Sequence, residues 1–186
     1  MILELYGAIS DAYGKELMTE YELFREVTIH ICSSLDLALA LKNVFPVLSK
    51  VVPLDEIRVN VLDTDLHAVK TIAVADRNGA KNLLDAPLVL PMPPREEAEL
   101  AGDELEDVRI VGRIEEDRAT ASILDRYFPG VPQSSLLILR LKLDGIRQGA
   151  LLLRAEGENR YTDQHKRLVS GLNEPFAIAV NNALTH

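Results

Sequence analysis

A chain of 186 residues, 47% hydrophobic and 26% charged, has the length and composition of one globular domain with a sizeable core, which excludes whole-chain disorder. Its net charge of −9 arises from acids scattered along the sequence, whereas direct binding to nucleic acid or an anionic membrane needs clustered cations. A single cysteine closes no internal disulfide, no basic-then-apolar leader is visible, and no apolar run reaches the ~20 residues that span a bilayer, so a cytoplasmic protein is expected.

Residues 1–15 show no clear period and are set apart as an N-terminal arm; 16–186 read as one domain. Leu17, Tyr21, Phe24, Thr28 and Ile31 recur at three- and four-residue steps, the stripe of an amphipathic helix. Ser33 to Asp36 interrupts it, and Asp36 is placed to cap a second helix striped by Leu37, Leu41, Val44, Leu48 and Val51. Pro46 should kink that helix. From Glu56 the period falls to two: Ile57, Val59 and Val61 alternate with Arg58 and Asn60, which predicts a strand. Leu66 to Ala75 is its antiparallel partner, ended by Asn78-Gly79.

Between 80 and 133 the pattern is irregular. A short strand is expected within Leu84–Leu90, a short helix at Arg95–Ala101, extended chain at Val108–Ile114, a helix at Ala119–Tyr127 and a turn at Pro129–Pro132. Pro91-Met92-Pro93-Pro94 fits no element interior. Ser134–Leu143 and Arg147–Ala155 then flank the tight turn Asp144-Gly145, a firm hairpin signal. Thr162 caps a long final helix striped by Leu168, Leu172, Phe176, Ala179 and Ala183, with Pro175 as a kink. The order predicts an α/β fold of the α+β type: a central antiparallel sheet whose terminal helices pack together on one face.

Several stretches then resemble a known family. Phe24-Arg25-Glu26-Val27 with Ile31-Cys32-Ser33-Ser34-Leu35-Asp36 is similar to the helix-break-helix entry of GAF domains. Glu56 to Asp63 resembles their first strand, Leu139-Arg140-Leu141 with Gly149 to Leu153 their late hairpin, and Glu174 to Leu184 their closing helix. The resemblance spans about residues 16–184. It is strongest to the amino-terminal sensory GAF domains of bacterial sigma-54-dependent transcription activators. It implies a small-molecule-binding regulatory domain whose AAA+ ATPase and helix-turn-helix DNA-binding domains lie elsewhere in the full-length protein. No Gly-x-x-x-x-Gly-Lys-Ser/Thr phosphate loop is present, and neither is the Asn-Lys…Phe-x-x-x-Asp-Glu signature of the cyclic-nucleotide binders. One cysteine is too few for the methionine sulfoxide reductases of this type.

The chemistry-bearing residues point away from catalysis. Cys32 sits near an apolar helix stripe, where a buried and inert thiol is expected. His30, His67, His165 and His186 form no local metal-ligand pair; His67, with Asp63 and Asp65 nearby, has the makings of a weak surface contact at most. The acidic pairs around Glu96, Glu104 and Glu115 lie in polar, solvated segments. Arg58 and Asn60 differ, because they point away from the helix-covered face of a central strand. In the GAF resemblance that side is a cavity roofed by the variable middle segment, with Arg140 as a third candidate. These three residues would hold a small anionic or polar metabolite; an internal ion pair is the competing explanation. A homodimer through the terminal helices is expected, because Met18, Val27, Val169 and Val180 widen their apolar surface. The alternative to a sensor is a ligand-free dimerisation scaffold.

Overall fold

The computed structural model describes residues 20–117 and 133–185. Helix α1 covers 20–32 and α2 covers Leu37–Leu48, with Asp36 capping α2 by accepting from the Ala38 and Leu39 amides at 2.8 and 3.2 Å. Strands β1 (Glu56–Asp63) and β2 (Ala68–Asp76) form the first hairpin, followed by short β3 (Gly79–Asn82) and β4 (Leu88–Pro91). Helix α3 (Pro94–Ala101) starts on a proline, whose missing N–H is harmless in a first turn. After β5 (Val108–Val111) and a 3₁₀ turn (Ile114–Glu116) come β6 (Ser134–Leu143) and β7 (Ile146–Glu156). Asp144 and Gly145 between them both take positive φ, at 49° and 81°, the two-residue turn that matches strand twist. Helices α4 (Asp163–Ser170) and α5 (Asn173–Thr185) close the chain.

Among the described residues seven strands make one antiparallel sheet in the order β3-β2-β1-β7-β6-β5, and β4 shares the outer edge of β2 with β3. One face carries the helices. Leu23, Val27 and Ile31 of α1, Leu41 and Val44 of α2, and Phe176 and Val180 of α5 pack on Ile57, Val59, Leu139 and Leu151. The expected α+β arrangement is the one observed. A smaller apolar cluster on the opposite face joins Leu62, Val69, Ile138 and Leu152 to Met92 and to Leu100 of α3.

Two β-bulges decide which side chains reach which face. Ile72 is the extra residue where β2 runs along Val59 and Asn60 of β1, so Thr71 and Ala73 point to opposite faces. On β7 the extra residue is Gln148: Leu141 pairs with Gly149, but Lys142 pairs with Arg147. Strict alternation from Leu151 and Leu153 would turn Arg147 toward the helices. The bulge turns it to the other face.

Four expectations need correcting. The buried stripe of α1 is Leu23, Val27 and Ile31, while Tyr21 and Phe24 are exposed, so its phase lies about one residue from that expected. Val27 is consequently a core residue, Val169 and Val180 on the closing helices are core residues as well, and none of the three adds to the outer surface. The final helix is two helices, because the chain breaks at Gly171 and Leu172; Pro175 then falls in the first turn of α5, where it interrupts no hydrogen bond. The expected strand near Leu84 begins at Leu88, and β3 escaped notice because its four residues carry little apolar signal. The arm 1–15, the helix at Ala119–Tyr127 and the turn at Pro129–Pro132 lie outside the described residues.

A further correction concerns Cys32, which is exposed. It follows Ile31, the last buried residue of the α1 stripe, and one step of ~100° around the helix carries it to the outer side. The folded protein should therefore react with iodoacetamide at about the rate of the urea-unfolded chain. Protection of many-fold in the native state would return Cys32 to the core.

Candidate functional site

The second face of the sheet is only partly filled. Between it and the chain running from α3 to β5 lies a cavity of about 90 Å³. Its floor is apolar, built from Leu62, Val69, Ile138 and Leu152, and Leu100 and Leu105 close it from above. Five polar side chains reach it: Asn60, Arg109, Arg140, Arg147 and Gln148. No carboxylate is among the described residues that line it. Three arginines at one small cavity stand out in a chain whose net charge is −9.

Asn60 sits at the centre of β1 and is 5% exposed. Its Oδ1 accepts from the Thr71 hydroxyl at 2.9 Å, across the strand pair and next to the Ile72 bulge. Its two amide N–H donors are engaged by no described residue.

Arg140 plays a different part. It is 8% exposed, and its guanidinium donates to three backbone carbonyls: Leu100 O at 2.6 Å, Gly102 O at 2.8 Å and Leu105 O at 2.7 Å. These oxygens include carbonyls left over at the C-terminal end of α3, where a cation is favourable. Burial lowers the pKa of the guanidinium and the nearby Asp107 opposes that shift. The backbone of Arg140 is held as well, since its N–H donates to Asp107 O at 2.8 Å and its carbonyl accepts from Asn173 Nδ2 at 2.9 Å.

Arg147, which the sequence pattern hid, comes to the cavity through the Gln148 bulge. Its Nε donates to Asp107 Oδ1 at 3.0 Å and its Nη1 pairs with Asp103. Arg109 pairs with Asp117 at 2.6 Å, and the alternation of Val108, Arg109 and Ile110 was the signal that could have found it. Of the three residues singled out from sequence, the structure brings Asn60 and Arg140 to the cavity. Arg58 lies on the same face two residues from Asn60, is paired with Glu56, and does not line it. His67 meets Glu97 Oε2 at 2.6 Å and Asp63 is taken by Lys70 at 2.5 Å, so the surface metal contact is not assembled; among the described residues no group of three His, Cys, Asp or Glu converges.

A wider cleft of about 450 Å³ lies by Lys142, Ser170 and Glu174 at the α4–α5 break. These three side chains are exposed and of mixed charge, which makes it a surface hollow rather than a desolvated site.

The role of Arg140 is directly measurable. Arg140→Met strips three charge-assisted hydrogen bonds and strands three carbonyls, so the free energy of unfolding in urea should fall by ~3 kcal/mol. Arg140→Lys should recover little, because an ammonium does not reproduce a planar fork of donors. A loss below ~1 kcal/mol for Arg140→Met would show that the carbonyls are satisfied without it.

No known protein family's sequence profile matches the chain, and no curated protein matches it in sequence. Solved structures match in shape. The GAF domain of a phosphoenolpyruvate-protein phosphotransferase from Coxiella burnetii superposes with a TM-score of 0.64 at 16% identity, covering 90% of this chain and 96% of that one. A phycoerythrobilin-bound GAF domain from a cyanobacterial phytochrome gives 0.59 at 19% identity, covering 90% and 97%. The free methionine-R-sulfoxide reductase of Neisseria meningitidis, in complex with its substrate, gives 0.57 at 13% identity, covering 89% and 90%. At such identities the likeness is one of architecture: the chain has the fold of a GAF domain.

Proposed function

We propose that this domain senses a small molecule in the cavity above the second sheet face and signals to an output domain of a bacterial transcription regulator. What carries the sensing part is the lining: unengaged donors of a buried Asn60, beside arginines, over an apolar floor. Among proteins of this fold, a phytochrome GAF domain holds phycoerythrobilin and a reductase holds its substrate. The transcription-activator context, with its AAA+ ATPase and DNA-binding domains, rests on the sequence resemblance alone. Sensing is favoured over thiol catalysis because Cys32 lies on the helical layer, with the sheet between it and the cavity.

Native mass spectrometry of freshly purified protein should detect a retained small molecule. A metabolite that binds only the folded state should raise the melting temperature, since occupancy at about 100 times Kd stabilises by ~2.7 kcal/mol. Asn60→Leu should abolish that rise. If nothing is retained and no cytosolic metabolite stabilises the wild type, the ligand-free scaffold becomes the better reading.

The proposed dimer uses the outer side of the helical layer. Tyr21 (67% exposed), Phe24, Leu39, Ile178 and Leu184 lie there on α1, α2 and α5. Exposed apolar groups on adjacent helices are what a second copy of the chain would cover. Light scattering should return twice 20.6 kDa, and Ile178→Glu should return 20.6 kDa with unchanged circular dichroism. A monomeric wild type across the micromolar range would remove the dimer.

A further inference from the structure

We propose that the ligand is a small organic anion, a short-chain carboxylate, which takes Arg147 from Asp103 and Asp107 and so removes one of the ties on the loop 103–107, while Arg140 keeps its hold on the backbone of the segment. The proposal rests on the sensory reading above and names its ligand class.

The three arginines at the cavity are not equivalent. Arg140 is committed to backbone carbonyls, and Arg109 is held by Asp117, whose side chain is itself largely shielded. Arg147 is held by carboxylates in solvent: the Asp103 side chain is 90% exposed and that of Asp107 is 52% exposed, against 24% for Arg147 itself. Ion pairs whose acid is hydrated hold weakly and are screened by salt. A carboxylate inside the cavity would meet the same guanidinium in a drier place, where the pair is stronger and two parallel N–H donors fit two oxygens. Asn60 supplies a further donor from the floor, and no lining carboxylate among the described residues repels the newcomer.

Size and polarity narrow the class. A space of about 90 Å³ has room for a carboxylate on a short aliphatic body. Leu62, Val69, Ile138 and Leu152 would cover that body.

The exchange also has somewhere to go. Asp107 carries, on its backbone, the oxygen that receives the Arg140 N–H at 2.8 Å and the Asn173 Nδ2 at 3.4 Å. Asn173 is the first residue of α5. Releasing the Asp107 side chain from Arg147 therefore acts on the loop that touches the start of the terminal helix.

Four probes of nearly one size test this: butyrate, butyramide, n-butanol and n-butylamine, titrated into isotopically labelled protein and followed at the methyl resonances of Leu62, Val69 and Ile138. Butyrate should bind at least about tenfold more tightly than butyramide. Arg147→Gln should weaken butyrate by a similar factor, while the double variant Asp103→Asn, Asp107→Asn should tighten it by removing the competing carboxylates. That opposite sign separates displacement from simple loss of structure. Butyramide or butanol binding as well as butyrate would overturn the anion class and leave the sensory reading standing. Butyrate affinity unchanged or reduced in the double aspartate variant would overturn the exchange at Arg147. Failure of all four probes to bind either the wild type or the double variant would overturn this proposal and the use of the cavity together.

Discussion

Burying the Arg140 guanidinium under the segment 100–107 is possible only because three peptide carbonyls, from Leu100, Gly102 and Leu105, are there to receive it. The dependence runs both ways. Those carbonyls belong to a short helix without a buried residue of its own, and to a loop that apolar packing alone would not hold in place. Arg140 thus fixes the height of the roof above the sheet, and with it the existence of the cavity. Its main-chain groups reach Asp107 and Asn173 as well, so the same residue ties the roof, the central hairpin and the start of α5 together.

The two sides of the sheet are built on different rules. On the helix-covered side, aliphatic side chains from four helices and five strands leave almost nothing exposed, and stability resides there. On the cavity side the apolar cluster is small and is interrupted by Asn60, Arg109 and Arg140. The bulges at Ile72 and Gln148 mark where the second side departs from regular pairing, each next to a residue of the polar lining or its partner.

Much of this was legible in the residues themselves. Period-two alternation placed Arg58 and Asn60 on the far side of β1, and Asp144-Gly145 located the second hairpin to within a residue. The stripe of α1 was misplaced because Tyr21 and Phe24 are apolar enough to mimic a core, although Leu23 and Val27 fill it. The break before α5 was masked by Leu172, which continues the apolar period straight through Gly171. Arg147 was out of reach for a stronger reason. Alternation counts residues, and a bulge adds one that no local propensity announces, so only the pairing of β6 with β7 reveals where Arg147 points. In the same way, Arg140 reads as a candidate ligand group in sequence, and its three carbonyl partners, 35 to 40 residues away along the chain, recast it as a clamp.

The separation of the two faces bears on how such a domain diversifies. Because the helical face carries the core, residues of the cavity other than Arg140 can be exchanged with less penalty to folding than those of the core. An inserted or deleted residue at a bulge rotates a neighbouring side chain into or out of the cavity while leaving the hydrophobic register of the other face in place beyond it. The lining can then change at the rim while the scaffold stays as it is. Identities of 16 to 19% alongside a common architecture are the outcome expected of that freedom.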